Sequence, residues 1–453
     1  MTDNRVKGAG RNPRRKFSTN LVQRGSFDLI FACTVLLLFT FGIIMMYSAS
    51  YAYAASNKGG ANTLFYSQLK NAAIGFAGLF ILSKIDYKLY NGRFALIAYG
   101  GTLLVLIATL ILNIGKSEKR WIEIGGSFQL QPSEFAKLSL ILVLSYVLCV
   151  LQKPLRVPSR PRKKEGKGSD IAQSGAMGIL GSIKNFFWSS NKLRAKFDAQ
   201  ADGLTGFEAW VFRFARTPFR ACFVVSLIIV SYCGLIFLES HYSCTILMFA
   251  MGVFMLWLSG TRGKYFMWLG IGIAAVVAVV LLNPSILESL GGFGASRITA
   301  WLEKDNTSWD RYQTVNGLYA IGSGGLFGVG LGNSKQKQLY IPEPQNDFIF
   351  PVICEELGFV GAVLVILLFA VLIWRGFVIA RRSRDYFGSL VVMGIMIQVA
   401  LQVIINICVV TDIFPNTGIA LPFFSYGGTA LIVLLCEMGI VLSVSRSSSL
   451  EKE

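Results

Sequence analysis

Phe94-Ala-Leu-Ile-Ala-Tyr-Gly-Gly-Thr-Leu-Leu-Val-Leu-Ile-Ala-Thr-Leu-Ile-Leu-Asn-Ile114 runs for 21 residues without a charged side chain. As a helix it would reach about 30 Å, the thickness of a bilayer's hydrocarbon core. In lipid every backbone N–H and C=O must find an internal partner, so a run of this length reads as a transmembrane helix. Nine more apolar runs fall at approximately 27–49, 69–85, 133–152, 221–238, 242–259, 265–283, 347–374, 387–410 and 421–444. The run at 69–85 is the weakest, flanked by Lys70 and Lys84. No ten-residue alternation of the β-barrel kind occurs. The expected fold is therefore an all-α polytopic membrane protein of about ten transmembrane helices.

Composition agrees. Of 453 residues 53% are hydrophobic and only 15% charged, where a soluble domain carries about a quarter. The first apolar run follows a basic stretch, as a signal peptide would. It is too long for an h-region and nine spans follow, so it reads as a retained helix.

The net charge of +18 could suggest nucleic acid, but its placement points to membrane topology. Residues 1–25 carry Arg5, Lys7, Arg11, Arg14, Arg15, Lys16 and Arg24 against Asp3 alone. Alternate connections repeat the excess: Lys84, Lys88 and Arg93; the segment 153–220; Arg262 and Lys264; Arg375, Arg381, Arg382 and Arg384. By the positive-inside rule these are cytoplasmic, and both termini lie inside. The eight cysteines sit in or beside apolar runs without CxxC spacing, and His241 is the single histidine. Neither a disulfide framework, a histidine metal centre nor a Ser-His-Asp triad is implied.

Three segments are more than connectors. Residues 1–25 suit a disordered tail on the anionic inner leaflet. Residues 153–220 form a basic cytoplasmic insertion, read either as a linker or as carrying a membrane-surface helix near 181–197. Residues 284–346 form a large extracellular loop between helices seven and eight, without clear secondary structure. Such a long loop is usually functional or disordered. Its Trp301, Trp309, Tyr312, Phe327 and Tyr340 argue for folding back over the bundle mouth.

Polar residues gather near the outer side. Glu134 and Lys137 lie three apart at the start of the fourth span, on one helix face. A charged pair there is either functional or an ion pair pinning helices. Arg120 beside Trp121 suits an anionic lipid headgroup, or an interfacial Trp with a snorkelling Arg. The loop holds Arg297, Glu303, Asp305 and Asp310, a glycine-rich run over 322–332, then Lys335, Lys337, Glu343 and Asp347. Glu355 and Glu356 sit at lipid depth, and Pro422 through Gly428 break the entry to the tenth span. These groups suit a phosphate-bearing, sugar-like or peptide-like substrate in the outer leaflet.

The motifs resemble those of the SEDS family, the shape, elongation, division and sporulation proteins that include FtsW and RodA. The resemblance rests on Lys119-Arg120-Trp121-Ile122; on Phe128-Gln129-Leu130-Gln131-Pro132-Ser133-Glu134-Phe135-Ala136-Lys137-Leu138; and on the Ala320–Gly332 run. It rests also on Tyr340-Ile341-Pro342-Glu343, Asp347-Phe348-Ile349-Phe350, Glu355-Glu356-Leu357-Gly358 and Leu421-Pro422-Phe423-Phe424-Ser425-Tyr426-Gly427-Gly428. The motifs run in order from the first span to the tenth and resemble the division member FtsW more than RodA.

The resemblance implies a peptidoglycan glycosyltransferase that polymerises lipid II at the outer face of the bacterial cytoplasmic membrane and releases undecaprenyl diphosphate. Attack by a sugar hydroxyl calls for a carboxylate base. The leaving diphosphate calls for cations, or a divalent metal such as Mg²⁺ or Mn²⁺. In the family the essential aspartate lies in a Leu-Asp-Pro-x-x-Asp-Pro-x-Gly-x-Gly-Tyr-Gln pattern. Here the stretch reads Trp301-Leu302-Glu303-Lys304-Asp305-Asn306-Thr307-Ser308-Trp309-Asp310-Arg311-Tyr312-Gln313, without either proline and one residue shorter. The second family aspartate corresponds to Asp305 if the gap falls early. Counting back from Tyr312-Gln313 gives Asn306, which could not be a base. Asp305 is the first choice, with Asp310 and Glu303 the other candidates. Substrate and diphosphate contacts carry over to Arg120, Trp121, Gln131, Ser133, Glu134, Lys137, Arg297, Lys335, Lys337, Glu343, Asp347 and Ser425. Glu239-Ser240-His241-Tyr242-Ser243 replaces a common Gln-Pro-Asp-Leu-Gly.

The chain then divides into a tail (1–25), helices one to four (26–152), the basic insertion (153–220), helices five to seven (221–283), the extracellular catalytic loop (284–346), helices eight to ten (347–445) and a tail (446–453). Implied partners are lipid II, a class B penicillin-binding transpeptidase, other division or elongation proteins and membrane lipids, with no nucleic acid. The implied location is the division septum. Two other readings stand beside this one: a lipid II flippase or transporter, which needs a polar path through the bundle, and a non-catalytic division scaffold.

Overall fold

The structure is a computed structural model that describes residues 26–57, 60–113, 120–124, 128–152, 218–259, 266, 270–271, 293–303 and 309–449. The basic tail, nearly all of the 153–220 insertion and most of the 265–283 span lie outside the described residues. Eleven α-helices are described: α1 (Leu29–Asn57), α2 (Thr63–Lys84), α3 (Arg93–Leu112), α4 (Pro132–Gln152), α5 (Pro218–Leu238), α6 (Tyr242–Leu258), α7 (Phe293–Glu303), α8 (Trp309–Ser323), α9 (Ile349–Arg382), α10 (Tyr386–Val410) and α11 (Gly428–Ser449). Strands β1 (Ile122–Ile124) and β2 (Phe128–Leu130) form one short antiparallel hairpin.

Among the described residues six helices are long and apolar enough to cross a membrane: α1, α3, α4, α9, α10 and α11. The apolar stretches of α5 and α6 are slightly shorter. Outward positions are apolar, with Ile97, Leu104 and Leu112 of α3 each more than half exposed. That surface is suited to lipid. The chain is a multi-pass membrane protein.

α2 begins six residues before the expected run, at Thr63. Its polar Gln68 and Asn71 break the apolar pattern yet are buried. Gln68 donates to the Ser425 carbonyl and accepts from the Gly427 N–H, each at 3.3 Å. Its small residues lie flush against α11, where a Cβ on Gly75 would collide with Leu435. Close approach of small residues is a common way for helices to associate in lipid.

The described ends share one face. The Asp28 N–H donates to Ser445 Oγ at 3.0 Å, and Arg375 of α9 pairs with Asp28 at 2.7 Å. An even number of crossings between them follows. The turns at 84–93 and 382–386 lie on this face too, since Ser443 of α11 bonds Ile85 and Tyr87. The cations Lys84, Lys88, Arg381 and Arg382 therefore collect on one side, the cytoplasmic one by the positive-inside rule.

On the opposite face the loop expected to lack clear secondary structure contains two helices, α7 and α8. The glycine-rich run after α8 docks onto a kink in α9. Gly358 there has φ 66°, outside the helical range. The freed carbonyls of Glu355 and Glu356 accept the N–H groups of Val329 and Gly330 at 2.9 and 3.0 Å, while Phe359 and Val360 donate back to Gly325 and Leu326. This exchange satisfies irregular backbone that lipid could not.

Candidate functional site

The site is built around the N-terminus of α4. The hairpin pairs Ile122 with Leu130 and delivers the chain to Pro132. Proline suits the first turn because its missing N–H would be unpaired there anyway. Asn113 at the end of α3 donates to the Trp121 carbonyl at 3.0 Å, and the Gln131 N–H donates to Thr429 of α11 at 3.3 Å. The hairpin is thus stitched to two helices. One turn into α4, Lys137 Nζ lies 2.8 Å from Glu134 Oε2, with side chains 3% and 12% exposed.

Beside this pair is a small cleft, lined among others by Glu134, Lys137, Gln398, Gln402, Ser425 and Tyr426. Its other wall is the broken entry to α11. Phe423 has φ 66°, the Leu421 N–H donates to Ser425 Oγ at 2.8 Å, and Tyr426 N–H to the Gln345 carbonyl at 2.8 Å. Residues 421–427 are consequently a loop, and the last helix starts at Gly428. Its local bonds compete with the helix ladder. Deeper in the bundle, Glu437 of α11 is fully buried and accepts from Gln398 Nε2 at 3.0 and 2.9 Å. Lys137 is close enough for its charge to act on Glu437.

Toward the outer surface, the fields of Arg120 and Arg297 both act on Asp347. A Cβ on Gly418 would sit 3.7 Å from both Arg297 Nη1 and Asp347 Oδ2, so these two groups face the same bend. Burial pushes the Asp347 carboxyl above the usual range, against the pull of a backbone N–H and the two arginines. Asn406 fixes this bend by donating to the carbonyls of Asp347 and Ile419, each at 2.8 Å. Next to α4, Ser133 Oγ lies 3.4 Å from His241 Nδ1. Burial first, then Arg120 and Lys137, hold the His241 imidazole down at about 3, so it is neutral. Burial likewise pushes the Glu239 carboxyl up to about 8, and neither of its oxygens has a hydrogen-bond partner among the described residues.

The expected contact residues separate into two groups. Glu134, Lys137 and Ser425 line the cleft; Ser133 lies beside His241, Arg120 and Arg297 act on Asp347, and Trp121 and Gln131 flank the hairpin. Lys337 instead pairs with Glu356 at 2.5 Å and donates to Ser48 at 2.9 Å. Lys335 is exposed, and its N–H joins that of Gln336 and the Ser334 hydroxyl on the Glu355 carboxylate. The nest after the glycine run thus holds the protein's own anion. Glu343 is exposed and accepts from Tyr53 at 2.9 Å and Asn346 at 2.6 Å. Asp305 lies outside the described residues, as do the side chains of Glu303 and Asp310 at the ends of α7 and α8. Among the described residues no three His, Cys, Asp or Glu side chains converge on a metal position.

The sequence reading passed over Glu437 and Gln398. A glutamate inside the apolar run of α11 is the signal that could have found them. It also passed over Asp412, a long-range partner of the outer loop, for which no local signal exists.

Comparison with known proteins agrees with this architecture. The family pattern described as the FtsW, RodA and SpoVE cell cycle protein matches residues 28–164 and 204–450. Stage V sporulation protein E of Bacillus subtilis (strain 168) is 34% identical, over 94% of this chain and 99% of its own length. A probable peptidoglycan glycosyltransferase FtsW from Trichlorobacter lovleyi is 33% identical over 92% of this chain and 93% of its own. Among solved structures, a peptidoglycan synthase complex studied for coordination of polymerization and crosslinking overlays with TM-score 0.62 at 21% identity, covering 93% of this chain and 98% of that one. Thermus thermophilus RodA overlays with TM-score 0.56 at 22% identity over 93% and 97% of the two chains. The chain belongs to the FtsW/RodA/SpoVE family of cell cycle proteins.

Proposed function

We propose that the chain is a peptidoglycan glycosyltransferase that polymerises lipid II at the outer face of the cytoplasmic membrane. One observation carries the reading: in a chain whose relatives bear that name, Lys137 and Glu134 line a cleft, and the charges of Arg120 and Arg297 act on Asp347 beside Gly418, two residues before the cleft-lining Ala420. The substrate has the matching chemistry, an anionic diphosphate at headgroup level joined to a sugar.

In the reaction a sugar hydroxyl attacks the anomeric carbon from the face opposite the diphosphate. The C–O bond to the diphosphate breaks with inversion, and a carboxylate removes the hydroxyl proton. Asp305 is the first choice for that base, with Asp310 and Glu303 as alternatives. Arg120, Arg297 and Lys137 offset the charge that grows on the departing diphosphate. Glu134 orients Lys137, and Asp347 orients Arg297.

The test is polymerisation of purified lipid II by the purified chain, with and without Mg²⁺ or Mn²⁺. Asp305→Ala should remove at least about a hundredfold of the activity while the protein stays folded. Undiminished polymer from Asp305→Ala, Asp310→Ala and Glu303→Ala alike refutes the base assignment.

The partner in this reading is a class B penicillin-binding transpeptidase at the division septum. Its contact is expected on the lipid-facing sides of the eighth and ninth spans, α9 and α10, and on the external loop; Phe359, Leu367 and Trp374 of α9 are each more than half exposed. Transport of the same lipid is the second reading. Glu437 and Gln398 favour it by extending polar groups below the outer cleft. Their mutual hydrogen bonds close the pair on itself, and lipid II movement in vesicles lacking polymerisation would decide for transport.

A further inference from the structure

The loop stretch from Trp301 to Gln313 contains neither proline nor glycine, and it carries Arg311 two residues before Gln313. Arg311 Nη1, in the first turn of α8, donates to both carboxylate oxygens of Asp412 at 2.7 Å. The two side chains are only 10% and 14% exposed, so salt screens the pair weakly.

Asp412 lies in the turn after α10 and also binds the other loop helix. Its backbone carbonyl accepts from Trp301 Nε1 of α7 at 3.1 Å. One residue therefore tethers the end of α7 and the start of α8. Neighbouring bonds run between the same elements. Arg297 Nη1 donates to the Asn416 carbonyl at 3.3 Å, and Asn416 Nδ2 to Gln313 Oε1 at 2.9 Å. Asp412 does this from the left-handed region, at φ 61°. Aspartate tolerates that conformation better than most side chains, though less well than glycine. Backbone strain kept at a half-buried, ion-paired position tends to mark function.

We propose that Asp412 and Arg311 are positioning residues, an ion-pair clamp that ties α7 and α8 to the turn after α10. The inference rests on the polymerase reading for its consequence, because a misplaced base or diphosphate cation slows chemistry more than binding. It is independent of that reading for its structural half.

The test uses the full-length chain with Asp412→Asn, which keeps shape and left-handed tolerance but removes the charge, and Arg311→Lys, which keeps the charge but removes the planar fork. Hydrogen exchange of the α7 and α8 amides should accelerate at least about tenfold in Asp412→Asn. The turnover of lipid II, kcat, should fall at least about tenfold with KM within about twofold. Arg311→Lys should recover part of both losses. Unchanged exchange in both variants overturns the clamp. Faster exchange with unchanged kcat overturns the positioning role. If the unaltered chain makes no polymer, the polymerase reading fails, and the exchange result still decides whether the clamp exists.

Discussion

Two lysine–carboxylate pairs are buried in the bundle, and their surroundings differ. Lys337 meets Glu356 at 2.5 Å with side chains 4% and 0% exposed, and Ser48 donates to both Glu356 oxygens at 2.8 Å. The carboxylate is saturated from two other elements. Lys137 meets Glu134 at 2.8 Å within a single helix and opens onto a cleft. Its ammonium is held by Glu134 from its own helix alone in this pairing, beside the cleft. A buried charge pair is thus no mark of function by itself. Unspent hydrogen-bonding capacity facing a cavity is the better sign.

The largest effect should come from breaking the closed pair. Lys337→Met leaves Glu356 charged and dry, at a cost of about 3–5 kcal/mol. Thermal unfolding in detergent should show a large drop or no monodisperse protein, with the surviving fraction retaining its specific activity. A normally stable Lys337→Met protein without polymerase activity would erase the distinction between the pairs. A smaller effect on stability and a larger one on rate should follow Lys137→Met. Loss of one preorganised donor to a developing anion costs about a hundredfold in rate. Wild-type polymerisation by this variant would show that the cleft is not where the diphosphate leaves.

The same contrast explains what could be read from sequence. Nine of the expected spans coincide with described helices because apolar length is a local property and lipid enforces it. The start of α2 was missed because Gln68 and Asn71 look like surface residues, whereas their partners lie some 350 positions away in the 425–428 loop. The apolar run from 421 overshoots the start of α11 at Gly428 for the converse reason, although Pro422 through Gly428 already reads as a broken entry. Leu421, Phe423 and Phe424 are apolar and buried, but Pro422 and the bonds of Ser425 hold them in a turn. At the site, Glu134 and Lys137 were legible through their spacing. The separation of Lys337 from the cleft was not, since a lysine after a glycine-rich run reads alike whether it serves a ligand or Glu356. The Arg311–Asp412 pair spans 101 positions and leaves no mark in either local sequence.

The third pair of neighbours, Glu239 and His241, sharpens the comparison by pH because Glu239 is buried and His241 half-buried, each without an opposite charge to balance it. Glu239 has its carboxyl raised from 4.5 to about 8, so the folded chain binds this proton more tightly than the unfolded chain does. Stability from this group is complete at low pH, declines as pH rises from 4.5, and is lost by about 8. His241 is lowered from 6.5 to about 3, so its contribution is complete above 6.5 and declines as pH falls toward 3. The two slopes oppose each other between 4.5 and 6.5, which predicts a stability plateau there. Glu239 alone then produces a decline from 6.5 to 8, and His241 alone a decline below 4.5. Glu239→Gln should flatten the alkaline limb and uncover the acid slope all the way to 6.5, a modest shift read from melting temperatures across pH 4 to 9. If the alkaline limb survives in Glu239→Gln, the carboxyl is already partnered in the membrane, and the open capacity beside α4 is smaller than the cleft implies.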